Sequence, residues 1–275
     1  MKILNNIKTY KIFSIVVIKQ NYLAYKSRFI LWVIANSITV IAQIFLWIAI
    51  FNSSITELIN GISKQEMINY IIISKIIESL TFASLESKVS QDYNDGRIAM
   101  SLIKPINYRT ELLFRTFGGT LGSAILFCPI YLVIFVIFNI GSFGVLNLQF
   151  INIIYFIVLL IIAFFINYFI SIIFSSLIFK TIKSSGIYEV KKTLIKLLSG
   201  ALFPLVFYPE ILAKILKYLP FVYLRYIPTL MIQGNYNNSE GLILISIGLL
   251  WLALLYIISR LMWIVQIKKI TIYGG

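Results

Sequence analysis

Residues 116–179 form a run of 64 residues without a charge: TFGGTLGSAILFCPIYLVIFVIFNIGSFGVLNLQFINIIYFIVLLIIAFFINYFISIIFSSLIF. A membrane-spanning helix needs about 20 apolar residues, so the run is too long for one span and fits two. Residues 139–144, Asn-Ile-Gly-Ser-Phe-Gly, are rich in turn formers and divide it. The sequence therefore predicts spans over 117–139 and 150–179.

The composition of the whole chain points the same way. Of its 275 residues, 60% are hydrophobic and 12% are charged, and the mean hydropathy is +0.92. Soluble domains carry about 25% charged residues, and disordered chains have low hydrophobicity. These values exclude a soluble enzyme, a nucleic-acid-binding module and a disordered chain. They predict an all-α polytopic membrane protein, with residues 1–275 forming one transmembrane domain.

Further spans are predicted over 29–51, 67–85 and 241–265. The fifth span is irregular, because residues 197–209 form a short uncharged piece and a short amphipathic piece follows it. Three prolines interrupt helical hydrogen bonding there, namely Pro204, Pro209 and Pro220. We expect a broken fifth span that nears the outer face, followed by a short re-entrant or interfacial helix. The alternative is one long kinked helix, and both interpretations give six transmembrane helices.

The orientation follows from the Lys and Arg residues that flank the predicted spans. Nineteen of them fall on the side of both termini, and four fall on the other side, namely Lys64, Lys214, Lys217 and Arg225. Since basic residues concentrate in cytoplasmic loops, both termini are predicted to be cytoplasmic. The net charge of +14 then reflects this topology and contact with anionic lipid, and nucleic acid is not an expected partner.

Residues 1–28 hold six basic residues and no acidic one. At helical spacing, Lys8, Lys11 and Lys19 share a face with Lys26, and apolar residues occupy much of the opposite face. This pattern is typical of an amphipathic helix that lies in the membrane interface, here the cytoplasmic one. An unstructured basic leader is the alternative.

The chain shows no catalytic constellation. It has no histidine and a single cysteine, Cys128, and it lacks the G-x-x-x-x-G-K-[ST] sequence of a P-loop. Acid pairs suited to general acid–base chemistry are missing from the predicted spans. We therefore expect a protein that is not itself an enzyme, with no catalytic, metal or cofactor site of its own.

The predicted cytoplasmic loop over 86–116 is the first candidate site. Asn94-Asp95-Gly96 is expected to end a helix that extends span two, with Gly96 as the left-handed cap. Residues 97–104 can form two helical turns that Pro105 stops. Their apolar side chains would be exposed unless they dock, so the segment is suited to a groove on a cytoplasmic partner. A helix lying on lipid headgroups is the alternative. The candidate docking residues are Gly96, Arg97, Ile98, Leu102, Lys104 and Pro105.

The second candidate is a pair of ionisable residues inside span two, Lys75 and Glu78. They are three residues apart, so they share a helix face and can pair. Ionisable residues within a membrane are functional candidates because burying them is costly. The pair is either self-neutralised and structural, or it serves an ion-coupled secondary transporter.

Two local stretches resemble the permease subunits of type-two ABC exporters, in the small six-span group that works with a separately encoded ATPase. One is Gly96-Arg97-Ile98-Ala99 followed by Leu102-Ile103-Lys104-Pro105. The other comprises Ser199-Gly200, Phe203-Pro204-Leu205, Pro209, Leu212 and Leu219-Pro220-Phe221. The entire predicted topology is similar as well.

The resemblance implies a dimer of permease chains, identical or different, above two ATPase subunits that bind ATP and Mg²⁺. The 97–105 segment would contact the ATPase and receive its conformational movement. The expected location is a bacterial cell membrane. Short predicted external loops and an apolar interior favour export of a hydrophobic or amphipathic substrate, such as a drug, a peptide or a lipid.

Overall fold

The computed structural model describes residues 11–19, 26–98, 107–140, 149–178 and 184–267. Nearly all of them are helical. In chain order the helices are α1 (11–19), α2 (Lys26–Ser53), α3 (Lys64–Thr81), α4 (Glu86–Asn94), α5 (Tyr108–Asn139), α6 (Phe150–Leu177), α7 (Ser184–Leu198), α8 (Glu210–Lys217), α9 (Tyr226–Ile232) and α10 (Asn238–Ile267). Two 3₁₀ turns, Leu205–Phe207 and Pro220–Leu224, and a small hairpin of β1 (Leu58–Ile59) and β2 (Ile62–Ser63) complete the described part of the chain.

Within the described residues, five helical segments are long and apolar enough to cross a membrane. They coincide with predicted spans one to four and six, which confirms an all-α polytopic membrane protein. Their outward faces are strongly apolar: Leu31 is 68% exposed and Leu250 is 71% exposed. Apolar surface on this scale is what a lipid bilayer or another hydrophobic partner covers.

The predicted second span is not one continuous helix, because residues 82–85 separate α3 from α4. We call these residues the 82–85 break. A helix break frees backbone carbonyls, and inside a membrane these must be satisfied by protein. Here side chains supply the donors. Asn167 donates to Thr81 O (2.6 Å), and Thr120 donates to Phe82 O (2.6 Å).

The hairpin between α2 and α3 marks one end of the helix bundle, which we call the hairpin end. Asn60 (φ 50°) and Gly61 (φ 79°) both adopt left-handed backbone geometry, as a two-residue turn between antiparallel strands requires. Ser63 then caps α3 in a reciprocal capping box with Glu66. Residues 86–98 lie at the other end, the loop end, beyond the opposite end of α3.

The predicted fifth span is wrong in its placement. Residues 197–209 are mostly non-helical, and the helix lies before them, as α7, where a cytoplasmic loop had been predicted. Charged residues interrupt α7, so it lacks a long uncharged run. Its inward-facing residues nevertheless recur every three or four positions: Ile187, Lys191, Leu194, Ile195 and Leu198.

Residues 199–232 then follow a re-entrant path instead of one kinked helix. Val206 O accepts a hydrogen bond from Asn60 at the hairpin end (3.3 Å), but Tyr226 N donates back to Ser199 O (3.2 Å). The chain then returns to the hairpin end, where Gln233 donates to Glu66 O (3.1 Å). The short helix expected after Pro209 is present as α8 (Glu210–Lys217), and its re-entrant or interfacial position in a membrane stays a prediction.

The three prolines of this region begin local elements. Pro204 precedes the first 3₁₀ turn, Pro209 precedes α8, and Pro220 is the first residue of the second turn. At these positions the missing N–H costs nothing, because the first residues of a helical turn have no internal acceptor. The prolines thus set where each piece starts.

Helix α1 packs closely across α5. Ser14 donates to Phe114 O (2.6 Å), and a Cβ added at Gly118 would lie 2.4 Å from Ser14 O. The absence of a side chain at Gly118 is therefore what lets the two backbones approach. Residues 1–10 and 20–25 of the predicted interfacial helix lie outside the described residues.

This contact gives a first prediction. Gly118→Ala should displace α1 from α5, because a methyl group cannot share the space of the Ser14 backbone. The measurement is disulfide cross-linking of Val17→Cys to Gly119→Cys without Cys128, and we expect a several-fold lower yield. Gly122→Ala, one turn along α5 where an added Cβ meets nothing within 4 Å, is the matched control. Equal yields in both variants would contradict this packing.

Candidate functional site

The residues of the predicted coupling loop form the loop end of the bundle. Helix α4 ends at Asn94, and Asp95 N and Gly96 N donate to Gln91 O (2.9 Å) and Tyr93 O (3.1 Å). Gly96 has a φ of 68°, so the predicted left-handed glycine cap is confirmed. Leu102, Lys104 and Pro105 lie outside the described residues.

Ile98 is placed differently from the expectation. It is 1% exposed and belongs to the chain's own apolar core, so the interpretation of Ile98 as an exposed docking residue is wrong. Burial of Ile98 therefore fixes the start of the segment against the apolar core. Arg97 is exposed, and its hydrogen bond to Asp95 raises its pKa above an already high value.

Asp92 ties the segment to α5. Its carboxylate accepts hydrogen bonds from Lys88 Nζ (2.7 Å) and from the hydroxyl of Tyr108, the first residue of α5 (2.9 Å). Arg97 lies 3.8 Å away. Asp92 is buried, and a buried carboxylate with several donors is rigidly held. These contacts therefore fix the end of α4 against the start of α5.

A buried ion pair ties the segment to α6 and α7. Lys191 Nζ lies 2.7 Å from Glu86 Oε1, and the two side chains are 3% and 0% exposed. The same ammonium donates to Ala83 O (2.9 Å) and Ser171 Oγ (3.0 Å). We call Ala83, Glu86, Ser171 and Lys191 the loop-end junction. One cation there holds together the 82–85 break, α4, α6 and α7.

The sequence places Lys191 in a predicted cytoplasmic loop, so the junction is not predicted from it. The position of Lys191 in α7 could have indicated its burial, because it falls on the same helix face as Ile187 and Ile195. A lysine on the buried stripe of an amphipathic helix needs a buried acid. Which acid it meets is not encoded locally, since Glu86 is 105 residues earlier.

The predicted pair in α3 is confirmed and has a third member. Lys75 Nζ lies 3.0 Å from Glu78 Oε2, and Arg225 Nη1 lies 2.6 Å from the same oxygen. Arg225 is 9% exposed and belongs to the re-entrant segment. We call these three residues the charge triad. It carries two cations and one carboxylate, and it fastens the re-entrant segment to α3.

Arg225 had been assigned to the external loops, which the structure corrects. It is the only charged residue in the stretch 220–232, PFVYLRYIPTLMI. An arginine in such an apolar segment needs a carboxylate partner, and Glu78 is the acid that span two offers. That argument could have found the contact from sequence.

A cavity of about 890 Å³ opens at the loop end. Its walls come from α1, α2, the 82–85 break, α4 and α5, and a smaller cavity of about 50 Å³ shares part of its wall and extends to Lys75 and Glu78. The large cavity therefore lies beside the predicted coupling loop, and the smaller one continues toward the charge triad.

Comparison with known proteins supplies the family. No curated protein sequence matches the chain. A family model described as ABC-2 family transporter protein matches residues 37–274, which include every helix from α3 to α10 and most of α2. Together with the five membrane-length helices, this match shows that the chain belongs to the ABC-2 family of membrane transporter proteins.

Proposed function

We propose that this chain is the membrane permease subunit of an ATP-driven exporter and that a separate ATPase subunit drives it. The observation that carries the proposal is the set of contacts that fix residues 86–98 to three other helices. The Asp92–Tyr108 contact reaches α5, and the loop-end junction reaches α6 and α7. Movement imposed on this segment therefore acts on three helices at once.

The partner binds ATP and Mg²⁺, and this chain couples to it mechanically. Gly96 and Pro105 set the ends of the docking segment. Leu102 supplies apolar contact, and Arg97 and Lys104 supply positive charge. Ile98 holds the segment from inside the permease. Two permease chains, identical or different, pair in the membrane over two ATPase subunits.

The substrate is a hydrophobic or amphipathic molecule such as a drug, a peptide or a lipid. The proposed location is a bacterial cell membrane, with both termini in the cytoplasm. In this orientation the loop end faces the cytoplasm, where the ATPase resides, and the hairpin end faces outward. The excess of basic residues near the loop end supports that orientation.

The family match gives no support to the alternative, an ion-coupled secondary transporter that uses Lys75 and Glu78. Arg225 weakens it further, because the Glu78 carboxylate already has two cationic partners. Such an arrangement favours a structural tie over a relay that must release and rebind a cation.

The test of the function targets the docking segment. Leu102→Asp should leave a correctly inserted permease that no longer retains its ATPase. Burial of a leucine contributes roughly 1.5–3 kcal/mol, so its loss weakens docking by about one to two orders of magnitude. Gly96→Val should have a similar effect, because a β-branched residue is strained at a φ of 68°.

The measurement is co-purification of the co-expressed ATPase, followed by ATP-dependent transport in vesicles. Asn94→Ala, at an exposed position of α4, is the control and should behave like the wild type. Retention of the ATPase and normal transport in both test variants would show that this segment is not the coupling element.

The orientation is tested by labelling single cysteines in intact cells. Thr56→Cys in the α2–α3 connection and Asn237→Cys before α10, both at exposed positions, should react with an impermeant maleimide from outside. Asn94→Cys and Lys192→Cys should react only after permeabilisation. Labelling of Asn94→Cys in intact cells would invert the proposed topology.

A further inference from the structure

The cavity at the loop end has walls of distinct chemistry. Three cations line it, namely Lys88, Arg97 and Arg115, and none of its described lining residues is a carboxylate. Their acidic partners Asp92, Asp95 and Glu111 form ion pairs with them and are not among the described lining residues. The surface presented to a ligand is therefore cationic although the local charges balance.

The cationic donors are held in place and retain unused capacity. Arg115 Nε donates to Glu111 (2.8 Å), and the guanidinium carbon lies 4.9 Å from the centre of the Phe13 ring. A guanidinium carries five N–H groups, and within the described residues its two terminal nitrogens form no hydrogen bond. Lys88 uses one of its three donors on Asp92. Such a preset group suits a phosphate or carboxylate.

Polarity falls along the length of the cavity. The lining residues of α5 run from Arg115 to Leu126, which is about 16 Å of helix. The deeper part is lined by Trp32, Phe82 and Leu126, and Val16 and Val17 of α1 close the side. A molecule with an anionic head at Arg115 would thus place an apolar chain against these side chains.

Two glycines of α5 keep the cavity open. Gly119 and Gly122 both line it, and a Cβ added at Gly122 would meet nothing within 4 Å. Larger side chains at this position would project into the space that a ligand chain requires.

We propose that this cavity binds the substrate of the exporter and that the substrate is an amphipathic molecule with an anionic head group and a hydrocarbon chain. The assignment rests on the proposed function, since it names the substrate class of that same permease. The head group meets Lys88, Arg97 and Arg115, and the chain lies between α1, α2 and α5. The smaller cavity beside Ser123 leads from this site toward the charge triad.

Binding is measured on the permease alone, in nanodiscs of phosphatidylcholine. The probes are spin-labelled phosphatidic acid and spin-labelled phosphatidylcholine with the same chains, and the immobilised fraction is read by electron paramagnetic resonance. We expect phosphatidic acid to be enriched several-fold. Gly122→Trp, which fills the cavity, should abolish the enrichment, and Lys88→Gln/Arg97→Gln should reduce it at least threefold. The distant Lys192→Gln should match the wild type.

Equal immobilisation of the two probes, or unchanged enrichment in Gly122→Trp, would overturn the proposal without touching the coupling to an ATPase. A second arm separates cargo from a resident lipid in vesicles that contain the permease with its co-expressed ATPase. Phosphatidic acid should stimulate ATP hydrolysis and move between leaflets, and Gly122→Trp should lose both effects. Binding without either effect would identify a resident lipid and overturn the assignment as substrate. Absence of the ATPase from the purified complex would instead contradict the proposed function.

Discussion

Replacement of Lys191 by methionine is expected to cost the permease about 3–5 kcal/mol of folding free energy, the range found when one partner of a buried ion pair is removed. Lys191 and Glu86 are 3% and 0% exposed, so Glu86 would be left charged without a counter-ion. Ala83 O and Ser171 would lose a donor as well. The measurement is unfolding by SDS in mixed micelles, followed by tryptophan fluorescence.

The adjacent lysine offers a matched control. Lys192 is 58% exposed and lies 3.8 Å from Glu189, so Lys192→Met should change stability by less than about 0.5 kcal/mol, as is usual for surface positions. Glu86→Leu/Lys191→Met should recover most of the loss, because an apolar pair of similar volume can replace a buried ion pair. Recovery should stay incomplete, since Ala83 O loses the Lys191 ammonium and keeps only the longer hydrogen bond from Ser171 Oγ (3.2 Å). Equal stability of the two single lysine variants would refute the role given to the junction.

The junction also predicts a functional effect beyond stability. In the Glu86→Leu/Lys191→Met double variant the ATPase should still bind, because residues 96–105 are unchanged. Transport per ATP hydrolysed should fall, because a single cation no longer fastens the 82–85 break to α6 and α7. The ratio of transport to hydrolysis separates this coupling role from a purely structural one, which would leave the ratio unchanged.

In the charge triad, Glu78→Gln is expected to be more damaging than Lys75→Gln. Loss of the carboxylate leaves two cations close together in an apolar setting, whereas loss of Lys75 leaves the Arg225–Glu78 pair intact. Because the Glu78 side chain is 37% exposed, solvent screens part of the effect. We expect Glu78→Gln to lower the free energy of unfolding by about 2–3 kcal/mol, the scale for hydrogen bonds to charged groups. We expect Lys75→Gln to lower it by roughly 1 kcal/mol.

The loss of stability in Arg225→Gln should fall between those of Glu78→Gln and Lys75→Gln. This variant should also release the re-entrant segment from α3. The readout is protection of Tyr226→Cys from maleimide, which should drop in Arg225→Gln and persist in Lys75→Gln. Lys214→Gln removes the exposed pair with Glu210 and serves as the control with no effect. A larger loss of protection in Lys75→Gln would contradict the assignment of Arg225 as the tie.

The same variants test the transport mechanism. An exporter driven by ATP should keep its independence of the proton gradient in Glu78→Gln, however much its folding suffers. A gradient-driven flux that needs no ATPase and disappears in Glu78→Gln would instead support secondary transport.

The class of protein and most of its spans are predictable from the sequence alone. Long apolar runs favour a lipid bilayer, where each run can satisfy its own backbone as a helix. The run over 116–179 therefore predicted two spans correctly without any knowledge of their neighbours. The Gly96 cap is also predictable from local sequence. A helix end with a left-handed residue favours glycine at that position, and Gly96 follows Asn94-Asp95 directly.

Local patterns failed where stability depends on distant partners. Residues 184–198 look polar, yet they form α7, because Lys191 is compensated by Glu86 from another helix. The 82–85 break has no proline or glycine to announce it. It exists because Asn167, Thr120 and Lys191 satisfy its carbonyls.

The candidate site shows the same division. Lys75 and Glu78 were predicted to pair, because residues three apart on a helix must be neighbours. Arg225 joins them across 147 residues, and Ile98 turns inward because the core around it offers apolar contact. Such contacts depend on how the helices pack together, and the free energy of burying a charge or a side chain is set by that packing. They are therefore visible in the packed structure and not in the local sequence.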